Sequence, residues 1–436
     1  MKPRLWPYGP ALLALGLYCD RPMVEVAPPQ IHVLAPDPAE VIRTSEVELV
    51  VRATSFRPIA GLWANGQPLL YQEADRSWRG LIALRPGLNR ILLEAADREG
   101  VRARDTLPLL RASLLVRRGS DMHGPRAFHT ATVLPSGEVL LAGGFADMEE
   151  EALRTAERYD PRTGRSRPTA EPMRVGRAGH VALQLPDGRV LLMGGVRRYP
   201  PRTGADFVQE VELYDPQTDS FRLVPTSGYP VDRAFFDAVW YPHPSGPYVW
   251  TFGGWGDLSP ASPTFLLGIR QDGRFYLFRN DSLLLYGASG SPLYLEPSFG
   301  HSLVAFRDRL YGLFNTAFYA SGAASQNRLL DLSRVRTSPL TGFRRERTWH
   351  AAAELKDDLW LVAGGASLSG TAPRAFLGTL ELFSFEVQRF YLYPEPLFLA
   401  RAGLRATKLA DARIMLSGGW SAYGVSRAVE WIALLP

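Results

Sequence analysis

Cysteine is all but missing from this chain of 436 residues: Cys19 stands alone, and a lone thiol forms no internal disulfide. Lysine occurs only at positions 2, 356 and 408, and Asn and Gln are scarce, so nearly all the positive charge is Arg. A GC-rich genome or a hot habitat produces that bias, and composition does not separate the two. Runs of like charge are missing as well. The formal charge of +5 and the pI of about 9.3 come from basic residues spread along the whole chain, so the basic clusters of a nucleic-acid binder are absent and no nucleic acid is expected as a partner. Past the first twenty residues no uninterrupted apolar run reaches about 18 residues, so no second membrane span is expected.

What is plentiful points to strands. The chain is 46% hydrophobic, enough for substantial cores, and its length is that of two or more domains. Its 40 Gly and 35 Pro, beside 17 Tyr and 21 Phe, suit many short strands joined by tight turns better than long helices. The expected fold class is all-β.

The opening residues, MKPRLWPYGPALLALGLYCD, set Lys2 and Arg4 ahead of a short apolar run that ends at Cys19, the outline of an export signal over 1–19. A cysteine just after such a run resembles the lipid-attachment cysteine of bacterial lipoproteins, with Tyr18 and Gly16 where those signals have a small residue and Leu. The resemblance implies a lipidated Cys19; a plain cleaved secretion signal and an uncleaved anchor are the alternatives. Residues 20–30 are Pro-rich and polar, as a tether would be. The expected location is the cell envelope or the outside medium, with the membrane reached only through that N-terminal anchor.

From Ile31 to about residue 110 the pattern turns to alternating strands: EVELVVRA at 46–53, LWANGQPL at 62–69, WRGLIAL at 78–84 and NRILLEAAD at 89–97. Asn65-Gly66 is a strong hairpin turn because both positions tolerate positive φ. These spacings predict a small β-sandwich over 31–110. The runs ANGQPL and PGLNRILLEAADREG resemble the bacterial immunoglobulin-like modules of surface proteins and carbohydrate-active enzymes, which implies a spacer.

The rest of the chain repeats itself. RAFHTATVLPSGEVLLAGG at 126–144 and RAGHVALQLPDGRVLLMGG at 177–195 place Arg, His and a Gly pair at identical offsets. Gly pairs recur at 253–254, 364–365 and 418–419. Aligning HSLVAFRDRLYGLFNT (301–316) with HAAAELKDDLWLVAGG (350–365) puts Asn315-Thr316 in a sixth slot, where Asn tolerates positive φ. The six units are spaced 51, 59, 62, 49 and 54 residues apart. Each reads as a strand after Arg-x-x-His, a turn such as PSG or PDG, and a second strand running into the Gly pair. A third strand then ends in an aromatic and a turn, as in AERYDPRTG (156–164) and VELYDPQTDSF (211–221), and a fourth follows. Four strands in about 50 residues is the size of a propeller blade.

These motifs resemble the kelch repeat: Arg-x-x-His, a double Gly, then Tyr-Asp-Pro with an aromatic seven residues beyond the Tyr. Phe221 and Phe390 take that last slot after Tyr214 and Phe383, while the first unit has Ser166. The resemblance implies a six-bladed kelch β-propeller over 111–436, preceded by the small immunoglobulin-like β-sandwich. The sixth unit stops at Pro436 with three strands. RASLLVRR (111–118) is therefore expected to pair with its third strand, AVEWIAL (428–434), and to remove the open edges of an unclosed ring.

In each unit the first strand leaves one face and the second returns to it. Arg-x-x-His therefore shares a face with the long loops FADMEEEALRT, VRRYPPRTGADF, WGDLSPASP and ASLSGTAPRAF that follow the Gly pairs, the default binding surface. That face would carry Arg126, Arg177, Arg233, Arg347 and Arg401, with His129, His180, His301 and His350. A guanidinium ring at a channel mouth attracts an acidic ligand. Repetition in every unit instead favours shared inter-blade hydrogen bonds, and that structural reading is preferred for both sets. Unrepeated residues on the same face make better site candidates: Arg197, Arg198, Asp147, Trp255, Asp257 and Trp420, since Trp beside charge suits stacking on a sugar. Glu149, Glu150 and Glu151 read as a carboxylate pair or as a solvated loop.

The functional expectation is a monomeric, non-enzymatic protein of the envelope or secreted, binding a protein or glycan ligand, acidic in character, through the long-loop face. The alternative is a carbohydrate-active enzyme resembling the kelch-type sialic acid mutarotases, where a basic mouth holds an acidic sugar for acid/base chemistry; no unrepeated His with a carboxylate stands out for that role. Copper chemistry resembling that of galactose oxidase needs a cysteine joined to a tyrosine in the mature domain, and Cys19 lies in the export segment. Zinc would have no Cys to join the repeat-bound histidines, so neither metal nor cofactor is expected.

Overall fold

The computed structural model describes residues 27–435 except 228–230, 244–245, 258–266, 270–272, 288–301, 307–308, 315–316, 320–321, 325–327, 332–335, 340–346 and 370–371. Cys19, His301 and Asn315-Thr316 lie outside the described residues. The fold is all-β, 55% strand and 1% helical, with a 3₁₀ turn at Gly204–Asp206. The chain forms two compact units. One consists of Leu49–Gly80 and Leu92–Thr106 with the segment ending at Leu34, the other of Ala35–Glu48, Leu81–Ile91 and Leu107–Pro436.

In the smaller unit the hairpin forms at Asn65 (φ 50°) and Gly66 (φ 79°), which join Ile59–Ala64 to Gln67–Pro68 with Ala64 opposite Gln67. This is the type I′ geometry to which Asn-Gly is suited. The Asn65 side chain holds the turn by accepting the Leu92 amide at 2.8 Å. Leu49 and Val51, Leu62 and Ala64, and Leu93 and Ala95 are the most deeply buried hydrophobic positions of their strands, the period of two that a strand shows when one face meets a core, and Val50 and Ala96 are buried beside them.

In the larger unit four-stranded antiparallel sheets follow one another. The first contains Thr130–Val133, Val139–Ala142, Ala156–Asp160 and Arg165–Pro168; the second contains Val181–Gln184, Val190–Met193, Val211–Asp215 and Ser220–Val224. The third has Asp237–His243, Gly246–Phe252, Gly273–Arg279 and Ser282–Gly287, with Thr226–Ser227 added in parallel. The fourth has Ser302–Phe306, Arg309–Phe314, Arg328–Asp331 and Arg336–Pro339, and the fifth Ala351–Lys356, Leu359–Ala363, Leu380–Ser384 and Arg389–Tyr393. Arg405–Lys408, Ile414–Ser417 and Val429–Leu434 make the sixth, which takes its remaining strand from upstream. Leu114–Arg118 pairs antiparallel with Val429–Leu434, Leu114 opposite Leu434 and Arg118 opposite Glu430. The pairing begins at Leu114 and not at 111, because Arg111 still runs parallel to Ile42 and the Ala112 amide donates to the Ile42 carbonyl at 3.1 Å.

Each first strand lies against the first strand of the next sheet, and Arg405–Lys408 lies against Thr130–Val133. This order of repeated sheets is consistent with a propeller. It also explains why the second strands read as unbroken apolar runs such as VLLA and VLLM, for both of their faces are covered. Leu140 and Ala142 pack with Val190 and Leu192 of the second sheet, while Val139 and Leu141 pack with Met415 and Val429 of the sixth.

Near the hub the residue two beyond each repeated Arg adopts a left-handed backbone: Phe128 (φ 58°), Gly179 (62°), Phe235 (55°), Trp349 (55°) and Gly403 (64°). Their amides tie sheet to sheet. Phe128 donates to the Gly403 carbonyl at 2.8 Å, Gly179 to Phe128 at 2.8 Å, Phe235 to Gly179 at 2.7 Å and Gly403 to Trp349 at 2.8 Å. Aromatic and glycine alternate because each ring fills the space a Cβ would need: a Cβ would stand 2.8 Å from the Phe235 ring on Gly179 and 2.8 Å from the Phe128 ring on Gly403. The Gly pairs add a second set of links. Gly144, Gly195, Gly365 and Gly419 donate at 2.8 to 2.9 Å to the carbonyls of Arg177, Arg233, Arg401 and Arg126 in the following sheet.

Gly403→Ala is expected to destabilise the larger unit by about 2 kcal/mol or more, combining left-handed backbone strain with overpacking against Phe128. Gly137→Ala, where φ is 84° and the surroundings are open, isolates the strain alone and should cost about 1 kcal/mol. Urea denaturation of the two variants checks the difference.

Candidate functional site

The repeated arginines lie inside the protein, with Arg126, Arg177, Arg233, Arg347 and Arg401 each 3% exposed or less. Nη1 of Arg126, Arg177, Arg233 and Arg347 donates to the carbonyl of the first glycine of its own unit's pair at 2.9 to 3.3 Å. The same guanidinium meets a buried glutamate of the third strand. Arg126 Nε reaches Glu157 at 2.6 Å, Arg177 Nη2 reaches Glu212 at 2.8 Å, Arg401 Nη2 reaches Glu430 at 3.0 Å, and Arg347 pairs with Glu381. In the third sheet Arg274 stands in the glutamate's slot and pairs with Asp232 at 2.8 Å.

A charge taken out of water needs this degree of satisfaction. Leaving one partner unpaired inside costs about 3–5 kcal/mol. The carboxylates are engaged on their other oxygen too: Glu157 accepts the His123 amide at 2.6 Å, Glu212 the Arg174 amide at 2.7 Å and Glu430 the Phe398 amide at 2.9 Å. These guanidinium groups are therefore buried in the framework and bonded to it, with Nε of Arg177 and both Nε and Nη1 of Arg401 left without a hydrogen-bond partner among the described residues. The glutamates were open to sequence reasoning, which missed them: Glu recurs two residues before the aromatic in AERY, VELY and LELF.

His129 and His180 are buried and reach back to the preceding sheet, His129 Nε2 to Ser417 Oγ at 2.9 Å and His180 Nε2 to Thr130 Oγ1 at 3.0 Å. Burial first, and then nearby guanidinium charge (Arg405, Arg126 and Arg401 for His129, chiefly Arg177 for His180), holds both imidazoles well below their ordinary value of 6.5. They are neutral linkers between sheets.

The loop after the second Gly pair places Tyr199 over the hub. Its ring centroid is 6.4 Å from Phe128, 6.0 Å from Phe235 and 6.0 Å from Trp349. Beneath it Phe128 meets Phe235 at 5.2 Å and Trp349 at 5.3 Å, both edge to face. Among the described residues these four rings pack into one cluster, a plug beside the first strands. The cavity left beside them, about 50 Å³ and lined also by Asp237, His350 and Arg405, has room for about one or two waters. Arg405 Nε is itself engaged, donating to the His129 carbonyl at 2.6 Å.

The unrepeated candidates divide around this plug. Trp255 and Trp420 come together on Tyr199: Trp255 stacks on it at 6.0 Å with 11° between planes, and Trp420 meets it at 6.5 Å. Trp255 is only 4% exposed, so its face is taken by Tyr199 and is closed to a sugar, whereas Trp420 is half-buried against Phe376. Arg197 and Arg198 precede Tyr199 in the same loop, and both are paired, Arg197 to Glu210 at 3.1 Å, and Arg198 to Glu151 at 3.0 Å and Asp206 at 3.0 Å. Asp147 is exposed and accepts the Glu149 amide at 3.0 Å. Glu149 and Glu150 are exposed, and Glu151 is spent on Arg198 instead of a carboxylate pair. The backbone of Asp257 sits opposite Leu267, and its side chain lies outside the described part.

Sequence reasoning missed the plug. Its signal was the alternation Phe128, Gly179, Phe235, Gly300, Trp349, Gly403 two residues beyond the repeated Arg position, the Gly300 member of which lies outside the described residues. On the same face Tyr423 is 92% exposed, in the turn between the paired Trp420–Ser421 and Gly424–Val425.

Below pH 6.5 an imidazole kept neutral in the folded chain gains a proton only on unfolding, so stability falls as pH falls. The loss is about 1.4 kcal/mol per pH unit for each such histidine. The unfolding free energy should be flat just above pH 7 and drop between pH 6.5 and 5.5, with a shallower drop in the His129→Gln, His180→Gln double variant; denaturant titrations across that range check it. No known family model matches the chain, and none of the curated proteins matches it.

Proposed function

We propose that the larger unit is a six-bladed kelch propeller latched by Leu114–Arg118, preceded by an immunoglobulin-like sandwich, and that the chain is an exported binding protein. It recognises a macromolecular ligand, a protein or a glycan, through the face that carries the loops after the Gly pairs, and Cys19 is its candidate lipid anchor. The blade count rests on six sequence units and on the contact of each first strand with the next, the last with the first.

One observation carries the functional reading: the rings of Tyr199, Phe128, Phe235 and Trp349 occupy the place where a propeller would admit a small substrate. Small-molecule sites take roughly 300–1,000 Å³, and the cavity beside the plug is about 50 Å³. The acid/base reading for an acidic sugar further needs free guanidinium groups at the mouth, and the repeated arginines together with Arg197 and Arg198 already hold carboxylates or backbone carbonyls. What remains accessible is surface, with Tyr423 and Trp420 as aromatic anchors of the kind that dominate macromolecular contacts.

A glycan array and an envelope pull-down with the full chain test this. Tyr423→Ala is expected to weaken the captured interaction about tenfold or more without moving the melting temperature. Undiminished capture by that variant, or turnover of a sugar, overturns the reading.

A further inference from the structure

The smaller unit holds a groove of about 770 Å³ whose lining includes Arg52, Tyr71, Arg76, Trp78 and Arg98. Tyr71 and Trp78 face each other across paired strands, ring centroids 5.1 Å apart and planes at 53°, with Tyr71 48% exposed. They form an open aromatic platform. The charges beside it are unlike those of the loop face, where Arg197 and Arg198 are matched by carboxylates. Here Arg52 has only a hydrogen bond to the Asp75 carbonyl at 3.1 Å, and Arg76 and Arg98 make no ion pair among the described residues.

Asp75, the acid in the lining, and Glu99, held beside it on Arg57, do not cancel them. Asp75 gives its carboxylate to Ser77 at 2.7 Å and to Arg79 at 2.6 Å, and Glu99 is taken by Arg57 at 2.8 Å. Turn chemistry does not account for Arg76 either, since it sits at φ 55°, where Gly or Asn is less strained. Three guanidinium groups without counter-ions beside two aromatic faces match a ligand with flat apolar surfaces and spaced carboxylates. Sugar rings stack on the aromatics, and Arg takes a carboxylate through two parallel hydrogen bonds.

From this we propose that the groove of the smaller unit binds an acidic polysaccharide of the uronic acid type, at a site separate from the propeller face. A neutral glycan would leave the three guanidinium groups unmatched. A nucleic acid would bring its denser phosphates against Asp75 and Glu99, so it fits less well.

The test is calorimetric titration of the full chain with a galacturonate hexamer, with cellohexaose and an oligo-dT as comparators. The expected result is saturable binding of the galacturonate hexamer that weakens as salt rises, is at least tenfold weaker for cellohexaose, and falls at least tenfold in Arg98→Ala and in Tyr71→Ala. Tyr423→Ala should leave this binding unchanged, which separates it from recognition at the loop face. Arg76→Ala, in an exposed turn, serves as the deciding variant if Tyr71→Ala lowers the melting temperature. Absence of saturable binding, equal binding of cellohexaose, tighter binding of oligo-dT, or full affinity in Arg98→Ala overturns the proposal.

Discussion

The larger unit depends on a belt of backbone hydrogen bonds near its hub, in which the amides of Phe128, Gly179, Phe235 and Gly403, each two beyond a repeated Arg, donate to the same position of the preceding sheet. Each link needs a left-handed backbone, which an L-residue adopts only at a cost of about 1–2 kcal/mol. Glycine lowers that cost at Gly179 and Gly403. At Phe128, Phe235 and Trp349 the burial of a large ring offsets it, and the rings of Phe128 and Phe235 in turn need a neighbour without a Cβ, Gly403 and Gly179. Alternation of aromatic and glycine is therefore a packing requirement, met among the described residues by Gly179 with Phe235 and by Gly403 with Phe128.

The polar residues of the repeat serve the same end. Arg paired with Glu in the first, second, fifth and sixth sheets, and His129 and His180 in the first two, connect strands to one another and sheets to their neighbours, and burial makes those contacts obligatory. A framework that consumes its own charges leaves the recognition proposed above to whatever lies outside it. In the larger unit that is the loop layer above Tyr199, and in the smaller unit it is the groove flanked by Arg52, Arg76 and Arg98.

Much of the architecture was legible in one dimension because repeats and turns are local in sequence. The Asn65-Gly66 turn and the four-strand pattern around each Gly pair follow from residues a few positions apart. The upstream strand that pairs with Val429–Leu434 was also within reach, since an unfinished last unit calls for a donor, though the local competition of Ile42 for Arg111 and Ala112 shifted its start to Leu114. The candidate site was less legible. Arg197 and Trp255 were singled out for being unrepeated, but whether a guanidinium is free or an indole face open depends on Glu210 and Tyr199, which only folding brings to them.

By itself, then, the sequence determined the strand-rich class, the repeat and its period, and the residue types that each unit shares, because all of these are properties of neighbours along the chain. Only the tertiary structure decided that the repeated arginines face inward to Glu157, Glu212, Glu381 and Glu430, and that Tyr199 covers the hub. It likewise decided that Arg52, Arg76 and Arg98, none of them in an ion pair among the described residues, gather in the smaller unit beside Tyr71 and Trp78. The reason is physical: a charge is free or spent according to what lies a few ångströms away in space, and residues such as Arg126 and Glu157 meet across a distance in sequence that no local pattern records.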